Sequence, residues 1–381
     1  MKLCALTQSY APTSGGVRTL VHAQRDWCVR HGIEHVLIVP GERDGVDRDG
    51  LLTTHTVASP RMPGSPVYRL LLRSDKVLRI LQGEMPDVVE VHCAYNLPWT
   101  ALLHRRRHGG LVTAFFNTDV ATAYVEAPLA RRAGRAVGRT ARALTERYLR
   151  SLYNRCDVVV GISPAMHQRL GAIGVRGAVH IPLGVDLDTF SPERRDPALR
   201  TELGVAADEL LLVYAGRLDR EKRPDIVLEA FARLPADFGA VLVLAGDGPL
   251  RASLEQRAAE VGRAHVLPFI ADRGELARLY ASADVYVSAH GHETFGLSVV
   301  EAQACGLPVV GVRGGAMIDR VRPETGILVK PESPAALAAA IADTPRDSWK
   351  PMGERARERV REKFSWDRTF DTLLDIYRAR R

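Results

Sequence analysis

Short apolar runs separated by stretches of helical periodicity occur twice along this chain of 381 residues. In the first half, Leu3–Leu6, Val36–Val39, Val88–Val91, Leu111–Phe116, Val158–Val160 and Val179–Ile181 read as strands. Runs without polar alternation suit a parallel sheet covered on both faces. In the second half, Leu210–Tyr214, Val241–Leu244, His265–Leu267, Val285–Val287, Val309–Val310 and Ile327–Val329 repeat the pattern. Helical patterns separate most of these runs, which predicts two α/β units with parallel sheets. The segment from Pro182 to Pro192, with two prolines and Gly184, suits neither helix nor strand and marks the boundary. The expected organisation is 1–186, 187–363 and a terminal helix over 364–381, after helices near 333–343 and 350–363. Val137, Ala141, Leu144, Tyr148 and Leu152 recur at three and four, predicting an amphipathic helix whose apolar stripe enters the core. Its other positions carry Arg139, Arg142 and Arg150. No repeat of 20–50 residues and no low-complexity tract is present.

The length allows two cores. No apolar run approaches the ~18 residues of a membrane span. Met1–Leu6 is too short for a secretory leader and runs into a loop containing Pro12, Gly15 and Gly16, so the mature chain is expected to begin here. Five scattered cysteines without metal spacing read as small apolar fillers in a reducing compartment, which implies the cytoplasm. The net charge of +7 is uneven. Residues 1–186 hold 24 Lys and Arg against 15 Asp and Glu, whereas residues 187–381 hold 28 against 30. Arg105-Arg106-Arg107 and the run from Arg131 to Arg155 concentrate the excess. Such a surface suits anionic lipid headgroups on the inner face of a membrane or an anionic acceptor; a solvated face explains it equally. Nucleic acid is not expected as a partner, because the basic residues lack interleaved aromatics and the second half is slightly acidic.

The densest chemistry lies in His292-Glu293-Thr294-Phe295-Gly296-Leu297-Ser298-Val299-Val300-Glu301. Two carboxylates with seven residues between them bracket a glycine at the start of a short apolar helix. Gly296 lets a ligand approach the open N–H groups of that helix, which favour a phosphate. Glu301 falls one turn, ~5 Å, further along, where a carboxylate accepts both hydroxyls of a ribose. Glu293 lies on the other side of the phosphate, towards a sugar at the far end of a diphosphate. A solvated helix face is a poor alternative, since Glu301 stands among small apolar residues.

This segment resembles the E-x7-E motif of family 4 glycosyltransferases, retaining enzymes of the GT-B fold, and Ala302–Val310 continues the match. The resemblance implies two Rossmann-like domains, a final helix crossing back to the N-terminal domain, and transfer of a hexose from a nucleotide diphosphate sugar to a hydroxyl acceptor, whether glycan, lipid or small molecule. Gly216-Arg217-Leu218-Asp219-Arg220-Glu221-Lys222 matches the family's G-R-(x)4-K element, in which Arg217 and Lys222 would contact the diphosphate. Lys222 is one of only six lysines beside 46 arginines, and a compact ammonium suits a phosphate oxygen. By the same resemblance Phe295, Gly296, Leu297 and Ser298 line the donor, the backbone at Ile270 borders the nucleobase, and Gly16 lies beside the diphosphate. Gly15, Gly16, Asn117 and Asp119 fall on the acceptor side.

Asn117-Thr118-Asp119 departs from the family, many members of which place a histidine at Asn117 against the transferred sugar. Asn hydrogen-bonds but does not titrate. A retaining transfer tolerates this, because the departing phosphate itself takes the acceptor's proton while Arg217, Lys222, Glu293 and Asn117 form the catalytic set. No metal or other cofactor is expected: Asp47-Arg48-Asp49 lies in a hydrophilic Gly-rich loop and Asp186-Leu187-Asp188 in the boundary segment. Gly246-Asp247-Gly248-Pro249 reads as a structural turn. There is no G-x-G-x-x-G, which removes most support for a dinucleotide oxidoreductase. The competing enzymatic reading is a nucleotide-sugar epimerase or hydrolase of the same fold.

Overall fold

Residues 1–11, 15–62 and 68–381 are described by the computed structural model, so the Pro12 end of the first loop lies outside the described residues. The chain divides into two units, Met1–Leu183 with Trp366–Arg381, and Gly184–Ser365.

The first unit is built on β1 (Lys2–Leu6), β2 (Glu34–Gly41), β3 (Gly45–Asp49), β4 (Leu52–Ala58), β5 (Val88–Val91), β6 (Leu111–Phe116), β7 (Val158–Gly161) and β8 (Val179–His180). Their order is β3-β4-β2-β1-β5-β6-β7-β8, parallel throughout except that β3 runs antiparallel to β4. Cys4, Leu6, Val36, Ile38, Val89, Val91 and Val112 form one apolar face, packed with Val77, Leu81, Leu97 and Ala101 of the flanking helices. The order reverses across β1, between β2 and β5, which opens a crevice at the carboxyl ends of β1 and β5. The helix Trp366–Arg380 belongs to this unit: Phe370 packs on Trp27 with ring centroids 5.7 Å apart, and Tyr377 donates to the Glu90 carboxylate at 2.7 Å.

Two expectations are corrected in this unit. Asp47-Arg48-Asp49 is not loop but strand β3, wholly exposed and hairpinned to β4 through Gly50, whose φ of 54° favours glycine. Strand β4 was hidden by its composition, Leu-Thr-Thr-His-Thr-Val-Ala, in which the inward positions are Thr53, His55 and Val57. His55 is buried because its Nε2 meets Glu84 at 2.8 Å. The helix Arg135–Tyr153 also turns differently from most of its apolar stripe: Leu152 is buried as expected, but Val137, Leu144 and Tyr148 are 46%, 65% and 38% exposed. Gly138 faces inward instead, where a Cβ would come within 2.8 Å of the Ala130 side chain. One turn on, Arg142 bonds Glu126 and Glu146. Close backbone packing and an ion network thus take the inward positions that apolar periodicity assigned to Val137 and Leu144.

The second unit contains β9 (Leu210–Ala215), β10 (Ala240–Ala245), β11 (Ala264–Leu267), β12 (Val285–Ser288), β13 (Val309–Val312) and β14 (Gly326–Val329). All pairs are parallel, in the order β11-β10-β9-β12-β13-β14. This is the doubly wound order with its switch point between β9 and β12. Leu210, Leu212, Tyr214, Leu242, Leu244, Val285 and Val310 fill the core against Ile226, Leu228, Leu337 and Trp349. Among the described residues no helix is long and apolar enough to cross a membrane.

Candidate donor and acceptor sites

The loop leaving β9 carries Arg217 and Lys222. Asp219 Oδ1 accepts the amides of Glu221 and Lys222, each at 3.0 Å, curling the loop back at the switch point. Below it, a Cβ at Gly246 would meet the Gly216 carbonyl at 1.9 Å, and one at Gly248 the Leu218 carbonyl at 2.4 Å. The Gly246-Asp247-Gly248 turn is therefore the floor under the Arg217 loop, its close backbone approach open only to glycine.

The loop leaving β12 supplies the opposing carboxylate, with Lys222 Nζ 2.8 Å from Glu293 Oε2. Burial alone would raise the Glu293 carboxyl, but the charge of Lys222, with His290 nearby and a hydrogen bond from Lys222, holds it down at about 2. His290 Nδ1 donates to the Glu221 carbonyl at 2.7 Å and so ties the two loops together; its own pKa is lowered by burial and by Lys222. From beneath, the Ala316 amide donates to the Glu293 carbonyl at 2.7 Å, and a Cβ at Gly315 would strike that carbonyl at 2.3 Å.

Gly296, with φ 84° and ψ 53°, turns the chain into the eight-residue helix Leu297–Ala304. The first amides of a helix have no partner within it, and here they belong to Leu297, Ser298 and Val299. Tyr286 braces this end, its hydroxyl bonding Ser298 Oγ at 2.9 Å and the Ala215 carbonyl at 3.2 Å. Phe295 is buried and stacked under the Arg320 guanidinium, 4.2 Å from its ring, while Arg320 Nε donates to the Phe295 carbonyl at 2.8 Å. Glu301 is 4% exposed and pairs with Arg273. Arg217, half exposed, bonds Asp219 and, at 2.8 Å, Glu221. Ile270 is partly buried and follows Phe269, which is 42% exposed.

In the first unit Asn117 follows β6, its Nδ2 3.4 Å from Nδ1 of His92 at the end of β5. His92 is buried and stacked on Phe115, and burial pushes it down to about 3, so the ring stays neutral. Asp119 is already engaged: it takes Arg169 Nε at 2.8 Å and the Thr122 hydroxyl at 2.7 Å. Gly15 precedes the helix Gly16–Arg30, and a Cβ there would meet nothing within 4 Å. Asp186 accepts the amides of Asp188 and Thr189, closing a turn. Among the described residues no group of three or more His, Cys, Asp or Glu side chains is placed to hold a metal.

Lys222 and Glu293 are thus brought into direct contact, with Arg217 on the same loop as Lys222 and Gly296–Glu301 on the helix that follows Glu293. Sequence reasoning missed His290, Arg320, Arg273, Tyr286 and His92. A glycine pair one residue past the end of β13, Gly314-Gly315, was the available signal for the underside of the Glu293 loop.

Two family models cover nearly the whole chain: Glycosyltransferase Family 4 matches residues 14–189 and Glycosyl transferases group 1 matches residues 196–363. A GDP-mannose-dependent alpha-(1-6)-phosphatidylinositol dimannoside mannosyltransferase of Mycobacterium tuberculosis is 33% identical over 380 residues, covering 98% of this chain and 95% of that one. The chain belongs to the family 4 glycosyltransferases. A GDP-mannose-dependent alpha-mannosyltransferase of Mycolicibacterium smegmatis is 32% identical, covering 100% of this chain and 97% of its own. Among solved structures, sucrose-phosphate synthase from Thermosynechococcus elongatus superposes with a TM-score of 0.80 at 23% identity, covering 100% and 99% of the two chains. That likeness establishes the GT-B fold. As a family 4 glycosyltransferase the protein transfers a hexose from a nucleotide sugar to a hydroxyl acceptor, and nothing found favours the epimerase, hydrolase or nucleic-acid readings.

Proposed function

We propose that this glycosyltransferase transfers mannose from GDP-mannose, with retention, to a hydroxyl of an inositol-bearing membrane lipid. The carrying observation is the Lys222–Glu293 contact at the switch point of the second unit; the donor and acceptor classes are suggested by the full-length mycobacterial relatives. Arg217, Lys222 and the amides at Leu297 and Ser298 hold the diphosphate, Glu301 the ribose, and Glu293 the hydroxyls of the mannose. Phe295 and Gly296 shape the turn between them, and Ile270 borders the base. Asn117 gives the sugar a neutral hydrogen bond.

In the reaction the bond from the sugar's anomeric carbon to the phosphate oxygen breaks, and the acceptor oxygen bonds that carbon on the same face. The acceptor proton passes to the departing phosphate, whose charge is carried by Arg217, Lys222 and the helix N-terminus. These groups do the work that a divalent metal does elsewhere. The test is incubation with radiolabelled GDP-mannose and vesicles containing phosphatidylinositol mannosides. An α-linked mannolipid is expected. Release of free mannose without transfer, or a β-linked product, overturns the reading.

A membrane-surface role has its own support. Val137, Leu144, Tyr148, Tyr124 and Trp99 are exposed in the first unit. Among the described residues Arg131, Arg132, Arg135, Arg139 and Arg147 form no ion pair, and apolar and cationic side chains together suit the interface of an anionic bilayer. Co-sedimentation with vesicles of phosphatidylglycerol and phosphatidylcholine is expected, weakening with salt and with Leu144→Glu. Absence of binding at low salt leaves a solvated basic face.

A further inference from the structure

Glu301 lies almost wholly inside the second unit, and a carboxylate there requires a charged partner. Arg273 provides it, with Nη2 2.5 Å from Glu301 Oε1. The guanidinium lies 4.6 Å over the ring of Phe190, a fully buried side chain, so one face of the arginine is backed by a rigid surface. Arg273 is the first residue of the helix Arg273–Ser282, whose start is fixed by Asp272 accepting the Glu275 amide at 2.9 Å. It follows Phe269-Ile270 by three positions and thereby links the segment after β11 to Glu301. Its side chain is nevertheless 43% exposed.

We propose that Arg273 is a positioning residue for the nucleoside of the donor: by holding one oxygen of Glu301 it fixes the carboxylate in the orientation that accepts the ribose hydroxyls. This rests on the assignment of Glu301 to the ribose. The guanidinium suits the task because it is planar, stacks on Phe190 and offers a rigid fork, whereas a lysine in its place keeps the charge and loses the plane. The consequence is a coupling: discrimination for the ribose 2′-hydroxyl belongs to Glu301 and Arg273 together.

Calorimetric titration of GDP, UDP and their 2′-deoxy forms into the wild-type protein, Glu301→Gln, Arg273→Met and Arg273→Lys tests this. In the wild type, loss of the 2′-hydroxyl from the nucleotide that binds is expected to weaken binding about tenfold or more, the scale of a hydrogen bond to a charged group. That penalty should fall to within about twofold in both Glu301→Gln and Arg273→Met and be intermediate in Arg273→Lys. Donor KM should rise while kcat holds in Arg273→Met, a split that mere loss of folded protein does not produce; if Arg273→Met does not fold, Arg273→Gln takes its place. A wild type that binds neither nucleotide, or whose 2′-deoxy penalty is absent or unaltered by Glu301→Gln, removes the ribose assignment and this inference with it. A penalty abolished by Glu301→Gln but kept in Arg273→Met leaves the ribose assignment and overturns the role of Arg273 alone.

Discussion

Glu90 and Glu293 belong to corresponding strands of the two sheets but sit differently on them: Glu90 lies within β5, beside β1 at the first switch point, and Glu293 in the loop beyond the end of β12 at the second. Their environments are opposite. Glu293 has an ammonium at 2.8 Å and is held at about 2. Glu90 is fully buried among neutral groups, taking Tyr377 Oη at 2.7 Å and Gln24 Nε2 at 2.9 Å on one oxygen, and burial pushes it up to about 7. The same side chain on the same topology therefore serves as a fixed charge in one unit and, in the other, as a buried acid that keeps its proton up to about pH 7. The second unit carries paired charges around its switch point: Lys222 with Glu293, Arg217 with Glu221, Arg273 with Glu301. At the ends of β5 and β6 the first unit sets the neutral pair of Asn117 and His92.

The largest break in this contrast comes from removing one member of the charged pair. Lys222→Ala and Glu293→Ala are each expected to lower transfer by ~10²-fold or more, the scale of losing one preorganised electrostatic group, with thermal melting of the fold retained. Initial rates with saturating donor decide it. Near-normal turnover in both variants would show that the Lys222–Glu293 contact is structural.

A smaller effect should follow on the neutral side. If Asn117 positions the sugar by hydrogen bonding without exchanging protons, Asn117→Ala should lower transfer by roughly tenfold, about one hydrogen bond's worth. Asn117→His should keep substantial activity. Rates measured against pH should show no ionisation traceable to position 117 in the wild type and a new one in the histidine variant. Full activity in Asn117→Ala would take this residue out of the site.

The contrast also explains what the sequence made legible. The strands of both sheets were readable because buried parallel strands are continuous apolar runs, as at Leu111–Phe116 and Leu210–Ala215. Strand β4 was not, since Thr53 and His55 occupy its inward positions, and His55 is satisfied by a partner distant in sequence, Glu84. The E-x7-E and G-R-(x)4-K elements stood out because short local spacing carries them. Arg273, His290 and Arg320 did not, because each acts on a residue 25 or more positions away: Arg273 on Glu301, His290 on Glu221, Arg320 on Phe295. Nothing local marks such an arginine in a chain that has 46 of them. The inward turn of the helix Arg135–Tyr153 was lost for a related reason: Gly138 carries no periodic signal, yet it decides which face packs.

The finest test of the comparison is thermodynamic and concerns Glu90. Its pKa is raised on folding from a usual value near 4.3 to about 7, so the folded state holds a proton that the unfolded state has released. Stability from this group is full below the unfolded value, declines as pH rises, and levels off above about 7. Glu293 has the opposite sign, its contribution being present above the unfolded value and lost only as pH falls towards about 2. Glu90→Gln abolishes the titration while keeping an oxygen to accept from Tyr377 and Gln24. Its buried amide adds a cost that is the same at every pH, so the informative quantity is the change with pH. The melting temperature of Glu90→Gln relative to wild type should become more favourable by a few degrees between pH 5 and pH 8. Melting curves whose separation is identical at both pH values would mean that Glu90 is ionised in the folded protein, and that the two switch points hold their acids alike.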